Sequence, residues 1–385
     1  MTWNWQQPDW PSFQWDRARL EAVEKQFLVG GGVFVGTVRH LGEKERDQLT
    51  IEAMSTEAVT TSEIEGEVLD RASVQSSIRK QLGLAADERR VRPAERGIAE
   101  IMVYLYQSFA EPLSEEMLFR WHRMVMSGRR DLKDVGRFRT GAEPMQVVSR
   151  AMYKPKVHFE APPSSRVPCE MARFITWFGR TGPGEKEALP ALTRAGIAHL
   201  YFECIHPFED GNGRIGRAIS EKALAQSLGQ PTLTALAATI LARRKNYYEM
   251  LEASNKQNKI TNWLMWFAGV IIEAQRRTIA MVEFLIDKTK LLDRLKGQLN
   301  ERQEKALLHM FREGPEGFRG GLTAGKYSTI TGASPATTTR DLADLVAKGA
   351  LLREGERRYA RYRLSVPLRP VPPVTLNERG EISVH

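Results

Sequence analysis

The chain has 385 residues, 56 Lys+Arg against 47 Asp+Glu, two cysteines and 42% hydrophobic residues, a balance that excludes collagen-like, coiled-coil and largely disordered chains and leaves room for two or three domains. Cys169 and Cys204 are too few for a disulfide framework or a cysteine-based zinc site, and the longest apolar run, Trp263 to Ile272, is too short to span a bilayer. No basic n-region or apolar h-region marks a secretory leader, so the expected location is cytoplasmic with no membrane partner, and the net charge of +9 points to an anionic partner, nucleotide or nucleic acid.

Residues 1–15 hold Trp3, Trp5, Trp10 and Trp15, with Pro8 and Pro11, which reads as an extended arm whose indoles pack on the body of the protein. Asp16 can cap a helix through Phe27, which Gly30, Gly31 and Gly32 are expected to interrupt. An amphipathic segment runs from about Glu43 to Ser62, and residues 84–97, Arg-rich with Pro93, read as a loop. Helical periodicity returns at 95–109 and at 114–127, where Ser114 caps a first turn carrying Glu115 and Glu116. Val147-Val148 and Lys156-Val157-His158-Phe159 predict a short hairpin closed by Pro162-Pro163. Further helices are predicted at 168–180, 190–205, 214–228, 234–254 and 261–293. The segment 298–366 has its own order of helix, short helix, turn, helix and two strands. From Pro367 onward a Pro-rich tail is expected to stay unfolded. The fold class is therefore mainly α, with the two hairpins as its obvious β elements.

The chemistry concentrates in His206-Pro207-Phe208-Glu209-Asp210-Gly211-Asn212-Gly213-Arg214-Ile215-Gly216-Arg217. Pro207 ends the preceding helix and leaves His206 at its edge. Gly211-Asn212-Gly213 is a tight loop whose backbone amides can converge on one point, and the helix that follows aims its N-terminal amides there too. Arg214 and Arg217, three apart, share one face of that helix. Amide nest, helix N-terminus and two guanidinium forks make a polyphosphate cradle. Asp210 supplies a hard oxygen ligand for Mg²⁺, and His206 a base that works near neutral pH. That set describes a nucleotidyl or phosphoryl transferase.

The string closely resembles the signature of the Fic family: His-Pro-Phe, a variable residue, Asp or Glu, Gly-Asn-Gly-Arg, two variable residues, Arg. The resemblance implies a Fic-type helical core and transfer of AMP from ATP to a Ser, Thr or Tyr hydroxyl of a target protein or of the enzyme itself. It gives His206 the base's role, Asp210 the Mg²⁺, Gly211, Asn212 and Gly213 the anion hole, and Arg214 and Arg217 the outer phosphates. Upstream, Thr61-Ser62-Glu63-Ile64-Glu65-Gly66 is similar to the family's inhibitory motif, which makes Glu65 the residue that pairs with Arg217 and excludes the γ-phosphate. A guanidinium cannot serve carboxylate and phosphate in one geometry. Gly136-Arg137-Phe138-Arg139 precedes the hairpin as in the family, so Val157, His158, Phe159 and Glu160 are expected as the flap that docks the target by strand addition. Tyr247-Tyr248 and Asn255 resemble the family's residues around adenine and ribose, which gives Tyr248 and Asn255 as ATP-binding residues. Dimerisation is frequent among such proteins, although no heptad or exposed stripe establishes a homodimer here.

Residues 323–349 read as helix–turn–helix, with Ser334-Pro335 opening the second helix and Gly349 ending it. Leu351-Leu352-Arg353 and Tyr359 to Leu364 around Glu354-Gly355-Glu356 read as a β wing, and the segment resembles a winged helix with Thr337, Thr338 and Arg340 on its would-be recognition helix. Between Glu301 and Arg369, 13 Lys+Arg face 8 Asp+Glu, a moderately basic balance that fits DNA contact or protein docking. The expected division is 1–88, arm and inhibitory helix; 89–295, Fic core; 296–367, winged helix; 368–385, tail. Three other readings compete: removal of AMP or transfer of another phosphoryl group on the same fold, a nucleotide-sensing DNA-binding regulator, and a metal hydrolase built on His199, His206 and Asp210. A hydrogen-bonded core histidine is the preferred reading of His199.

Overall fold

Capping chemistry and apolar spacing account for most of the helices. The structure is a computed structural model that describes residues 2–39, 41–148, 156–232, 234–315, 317–318 and 320–384. In chain order it contains α1 (Ala18–Arg39), α2 (Glu43–Ile64), α3 (Arg71–Gln81), α4 (Pro93–Ser108), α5 (Glu115–Val125), β1 (Gln146–Val148), β2 (Val157–Glu160), α6 (Val167–Arg180), α7 (Ala191–Ile205), α8 (Asn212–Leu228), α9 (Leu236–Ala242), α10 (Arg244–Ser254) and α11 (Thr261–Arg294). Then come α12 (Glu301–Phe311), α13 (Ala324–Thr331), α14 (Pro335–Ala347), β3 (Leu351–Glu354), β4 (Arg361–Leu364), β5 (Val374–Leu376) and β6 (Ile382–Val384). The fold is mainly helical, as the sequence predicts.

Two compact units divide the chain: residues 1–33, 50–275 and 373–385 form the first, and residues 34–49 and 276–372 the second. In the first unit α7 is the central helix. Its side chains are buried from Ala191 to Ile205 with the exception of Glu203, as expected of a helix with apolar residues on every face. Phe174, Phe178, Phe202, Phe208, Trp121 and Trp263 pack the same core. The arm lies on this body as predicted, with Trp3 and Trp10 buried and Trp10 donating its indole N–H to Glu170 at 2.9 Å.

Several expectations need correction. α1 runs without a break through Gly30, Gly31 and Gly32. A Cβ on Gly30 would fall 2.1 Å from Oε1 of Gln275, and one on Gly31 2.8 Å from Leu228, so close packing rather than chain reversal calls for glycine there. α4 starts at Pro93, inside the expected loop, because proline suits the first helical position. Residues 234–254 are two helices that meet at Arg243. α3 was not anticipated; Asp70 caps it by accepting from the Ser73 amide at 2.7 Å. Residues 368–385, expected as an unfolded tail, hold the antiparallel pair β5–β6, and Val374 is fully buried in the first unit. Its amide donates to Glu273 at 3.0 Å and its carbonyl accepts from Arg243 at 2.9 Å.

In the second unit α12, α13 and α14 pack around Leu307, Tyr327, Leu342 and Leu345, against the hairpin β3–β4. The helix caps are those predicted: Thr323 for α13 and Ser334, followed by Pro335, for α14. Asp341 is tied by Tyr327 and Arg302, both at 2.9 Å, and Leu322 bridges Tyr362 antiparallel beside the hairpin.

Candidate active site

α7 stops at Ile205 because Pro207 cannot continue it, and His206 closes the helix in the left-handed region with φ 51°. A non-glycine residue in that region is strained unless its surroundings hold it. Here Arg139 donates from Nε to the His206 carbonyl at 2.8 Å, while the Arg139 amide donates to the Pro207 carbonyl at 2.9 Å. The imidazole is mostly buried, and burial, helped by the Arg139 charge, pulls its pKa down to about 4. The ring is thus neutral at pH 7, as a base must be.

Gly211, at φ 83°, turns the chain into α8. Asn212 spends its side chain on this loop: Oδ1 accepts from the Phe208 amide at 3.0 Å and Nδ2 donates to the Phe208 carbonyl at 2.9 Å. Glu209 accepts from the amides of Lys133 and Asp134 at 2.8 and 3.0 Å. His122 stacks on Phe208 with centroids 4.1 Å apart. Its Nδ1 accepts from the Gly136 amide at 2.9 Å, so Nε2 carries the proton and faces the Asp210 carbonyl at 3.2 Å. These bonds tie the loop to itself and to its neighbours on both sides.

The first turn of α8 presents its amides and Arg214, the second turn presents Arg217, and each arginine faces a carboxylate. Arg217, almost fully buried, donates from Nη2 to Glu65 Oε1 at 2.8 Å. It also donates from Nη2 to the Thr61 carbonyl at 2.9 Å and from Nε to the Thr61 hydroxyl at 2.7 Å. A Cβ on Gly213 would lie 2.2 Å from Glu65 Oε1, so the carboxylate rests directly on the helix N-terminus where an anion would sit. Arg214 donates from Nη1 to Glu67 Oε2 at 2.8 Å and lies 3.5 Å from Asp210 Oδ1. Burial disfavours the Asp210 anion, but the Arg129 hydrogen bond (2.6 Å to Oδ2), the Arg214 charge and the Gly211 amide (2.6 Å to Oδ1) bring its pKa below the ordinary value.

An ionised carboxylate at 38% exposure is the hard donor that Mg²⁺ takes together with substrate phosphates, so Asp210 fits the ion. Its Oδ2 must first give up Arg129.

The structure brings together His206, Asp210, Gly211, Asn212, Gly213, Arg214, Arg217 and Glu65. Tyr248 stands at the edge of this group, its hydroxyl 3.4 Å from the Ile64 carbonyl. Its neighbour Tyr247 is buried, with its hydroxyl 2.8 Å from His199 Nε2, and is not free to face a base. His199 also meets Ser220 at Nδ1 and stacks on Phe267, which makes it a core histidine. Asn255 is committed to the hairpin: its Nδ2 donates to the His158 carbonyl at 3.2 Å. In that hairpin Val157 is exposed and Phe159 is buried edge-on against Trp3. The His158 ring meets Glu252 at 2.6 Å, and the Glu160 carbonyl accepts from Trp5 at 2.7 Å. The hairpin's turn falls outside the described residues.

Glu67, Arg129, His122 and Arg139 complete the site without having been predicted as parts of it, and Thr61, the first residue of the inhibitory pattern, joins it by binding Arg217. Arg139 was within reach, since it ends the Gly136-Arg137-Phe138-Arg139 stretch; Glu67, Arg129 and His122 are placed only by the fold.

Residues 112–224 match the Fic/DOC family, and residues 3–84 match a domain of unknown function, DUF4172. A probable protein adenylyltransferase of Aquifex aeolicus (strain VF5) is 32% identical over 69 residues, which are 18% of this chain and 20% of that relative. The match thus spans only about a fifth of the relative's length. Among solved structures, a Fic family protein from Desulfovibrio desulfuricans G20 is 21% identical, with 90% of this chain and 96% of the other covered and a TM-score of 0.51. A Fic domain containing signaling protein from Bacteroides thetaiotaomicron VPI-5482 is 17% identical, over 68% of this chain and 97% of the other, also at 0.51. At these identities the likeness is one of fold.

Proposed function

We propose, from the Fic/DOC-family domain that this chain carries at residues 112–224, that it is a protein adenylyltransferase held inactive by Glu65. The observation that carries the reading is the buried Arg217, which meets Glu65 at 2.8 Å at the N-terminus of α8, beside Gly213. A polyphosphate site filled by the chain's own carboxylate supports both a nucleotide substrate and self-inhibition.

The residues would act as follows. Arg217 and Arg214 hold the outer phosphates of ATP once their carboxylates withdraw, and the amides of the Gly211–Gly213 turn receive the α/β bridge. Neutral His206 takes the proton of a target Ser, Thr or Tyr hydroxyl as its oxygen bonds to the α-phosphorus. The bond from that phosphorus to the bridging oxygen breaks, and pyrophosphate leaves. Asp210 would hold Mg²⁺, which neutralises charge on the phosphates. Arg139 and His122 keep base and loop in register, so the work of the site is positioning and charge stabilisation. The flap would align the target by strand addition. Since the carbonyls of His158 and Glu160 already accept from Asn255 and Trp5, an incoming strand must compete with both.

The test is transfer of label from α-³²P-ATP with Mg²⁺ by the wild type, Glu65→Gly and Glu65→Gly/His206→Ala. Label should rise in the single variant. It should fall by about 10²–10⁴-fold in the double variant, with ATP binding little changed. Label from another donor with none from α-labelled ATP would keep the fold and change the reaction.

We also read the second unit as a winged helix, with α14 as its recognition helix and β3–β4 as its wing. Arg340, Arg353 and Arg357 are exposed there, which favours contact with DNA.

A further inference from the structure

The six-residue inhibitory pattern ends at Gly66, and the chain has a further carboxylate one residue beyond it. Gly66 sits at φ 87°, a conformation open to glycine, and the Glu67 amide turns back to the Ser62 carbonyl at 3.0 Å. That reversal lets Glu65 and Glu67 reach different arginines from one turn: Glu65 Oε1 lies 2.8 Å from Arg217 and Glu67 Oε2 lies 2.8 Å from Arg214. The Arg214 side chain is 6% exposed, and the other carboxylate near it, Asp210, stands off at 3.5 Å and is engaged by Arg129. Glu67 is therefore the main charge partner of Arg214.

Resting on the nucleotide-site reading above, we propose that Glu67 is a second, independent inhibitory residue, which closes Arg214 to phosphate as Glu65 closes Arg217. Two guanidinium forks would hold a polyphosphate, and both are filled by one segment of chain. Removing Glu65 alone frees Arg217 and leaves Arg214 paired, so Glu65→Gly gives an enzyme only partly released. The turn that carries both carboxylates is anchored from behind. The Asp70 amide donates to Glu95 at 3.2 Å, Arg92 bonds Glu95 at 2.7 Å, and Asp70 caps α3. A movement of residues 65–70 would withdraw both carboxylates together.

The experiment measures binding of ATP and of inorganic tripolyphosphate by calorimetry, together with AMP transfer, in wild type, Glu65→Gly, Glu67→Gln and Glu65→Gly/Glu67→Gln. The glutamine is isosteric and half-exposed, so the fold should persist, and a thermal melt of each variant checks it. In the Glu65→Gly background, Glu67→Gln should tighten both ligands by on the order of 10-fold, the value of one charge-assisted hydrogen bond, and raise kcat/KM for ATP by a similar factor. Unchanged or weaker tripolyphosphate binding in that background overturns the proposal, because Glu67 would then be a bystander or a support that orients Arg214. A gain seen with Glu65 present and lost in its absence also overturns it, since Glu67 would be acting through Glu65. Tighter tripolyphosphate without any AMP transfer would leave the second inhibitory residue standing and remove the adenylyltransferase reading.

Discussion

His206 is at once the helix terminus and the candidate base, and its burial has consequences for the fold as well as the chemistry. Burial takes its pKa from 6.5 to about 4, that of His122 also to about 4, and that of His199 to about 3. A histidine whose folded pKa is depressed contributes stability that is complete above the unfolded value and is lost as pH falls towards the folded one. Three buried glutamates have the opposite sign, Glu57 among them, which burial and the Glu221 charge push well above the ordinary carboxylate range. Burial, followed by the Glu65 charge, raises Glu203 from 4.5 to about 8, and burial raises Glu221 from 4.5 to about 7, so their contribution is complete below 4.5 and lost as pH rises. Between about pH 4.5 and 6.5 the three histidines and the three glutamates offset each other. The midpoint of thermal unfolding should therefore be nearly flat across that window, fall towards pH 4, and fall again from pH 6.5 to 8. A melting temperature that climbs steadily from pH 6.5 to 8 would show that the glutamates are not held protonated. Much of the site was legible in the sequence: the string from His206 to Arg217 and the Thr61–Gly66 pattern carry their chemistry in local spacing. The partners that span the chain, Arg129 on Asp210 and Glu67 on Arg214, lie 81 and 147 residues away from what they touch. No local period records such a pairing.

Elements were legible where a cap or a proline speaks, and least where packing overrides local chemistry. The glycine triplet of α1 reads as a breaker, yet Gly30 and Gly31 pack against Gln275 and Leu228 while Gly32 faces open space; the polar run that becomes α3 shows only Val74 and Ile78 at helical spacing, too faint a stripe to notice. Gly97 makes the packing argument testable. In α4 it faces the Met124 carbonyl so closely that a Cβ would fall 1.8 Å from that oxygen. In an exposed helix Gly→Ala stabilises by roughly 0.8–1 kcal/mol. Here Gly97→Ala should instead destabilise by about 1–3 kcal/mol, because α4 and the end of α5 must move apart. Denaturant unfolding decides it, and an alanine variant as stable as the wild type would mean that this crossing is loose.

At the scale of the whole molecule, the chain folds as two units and brings its last residues back to the first of them, where Val374 joins Glu273 and Arg243. That return was hidden because Pro367, Pro370, Pro372 and Pro373 announce a loop, and the short strands beyond them have too little length for a period. The DNA reading of the second unit is testable in the full chain by fluorescence anisotropy on duplex DNA at 50 and 200 mM salt. Affinity should drop with salt, and Arg340→Ala or Arg353→Ala should each reduce the log–log slope by about 1. A slope that neither substitution changes would turn α14 and the wing over to protein docking.

The arm bears on how the protein is handled. Trp3 covers Phe159, Trp5 occupies the Glu160 carbonyl, and Asn4 reaches Cys204 at the end of α7 with Nδ2 3.1 Å from Sγ. A protease used to remove a purification tag, if it cut as far in as Pro8, would strip all three at once. The trimmed protein would carry an opened β2 edge and a loosened seat for His206. Any gain in labelling after such a cut would belong to the preparation, and not to the withdrawal of Glu65.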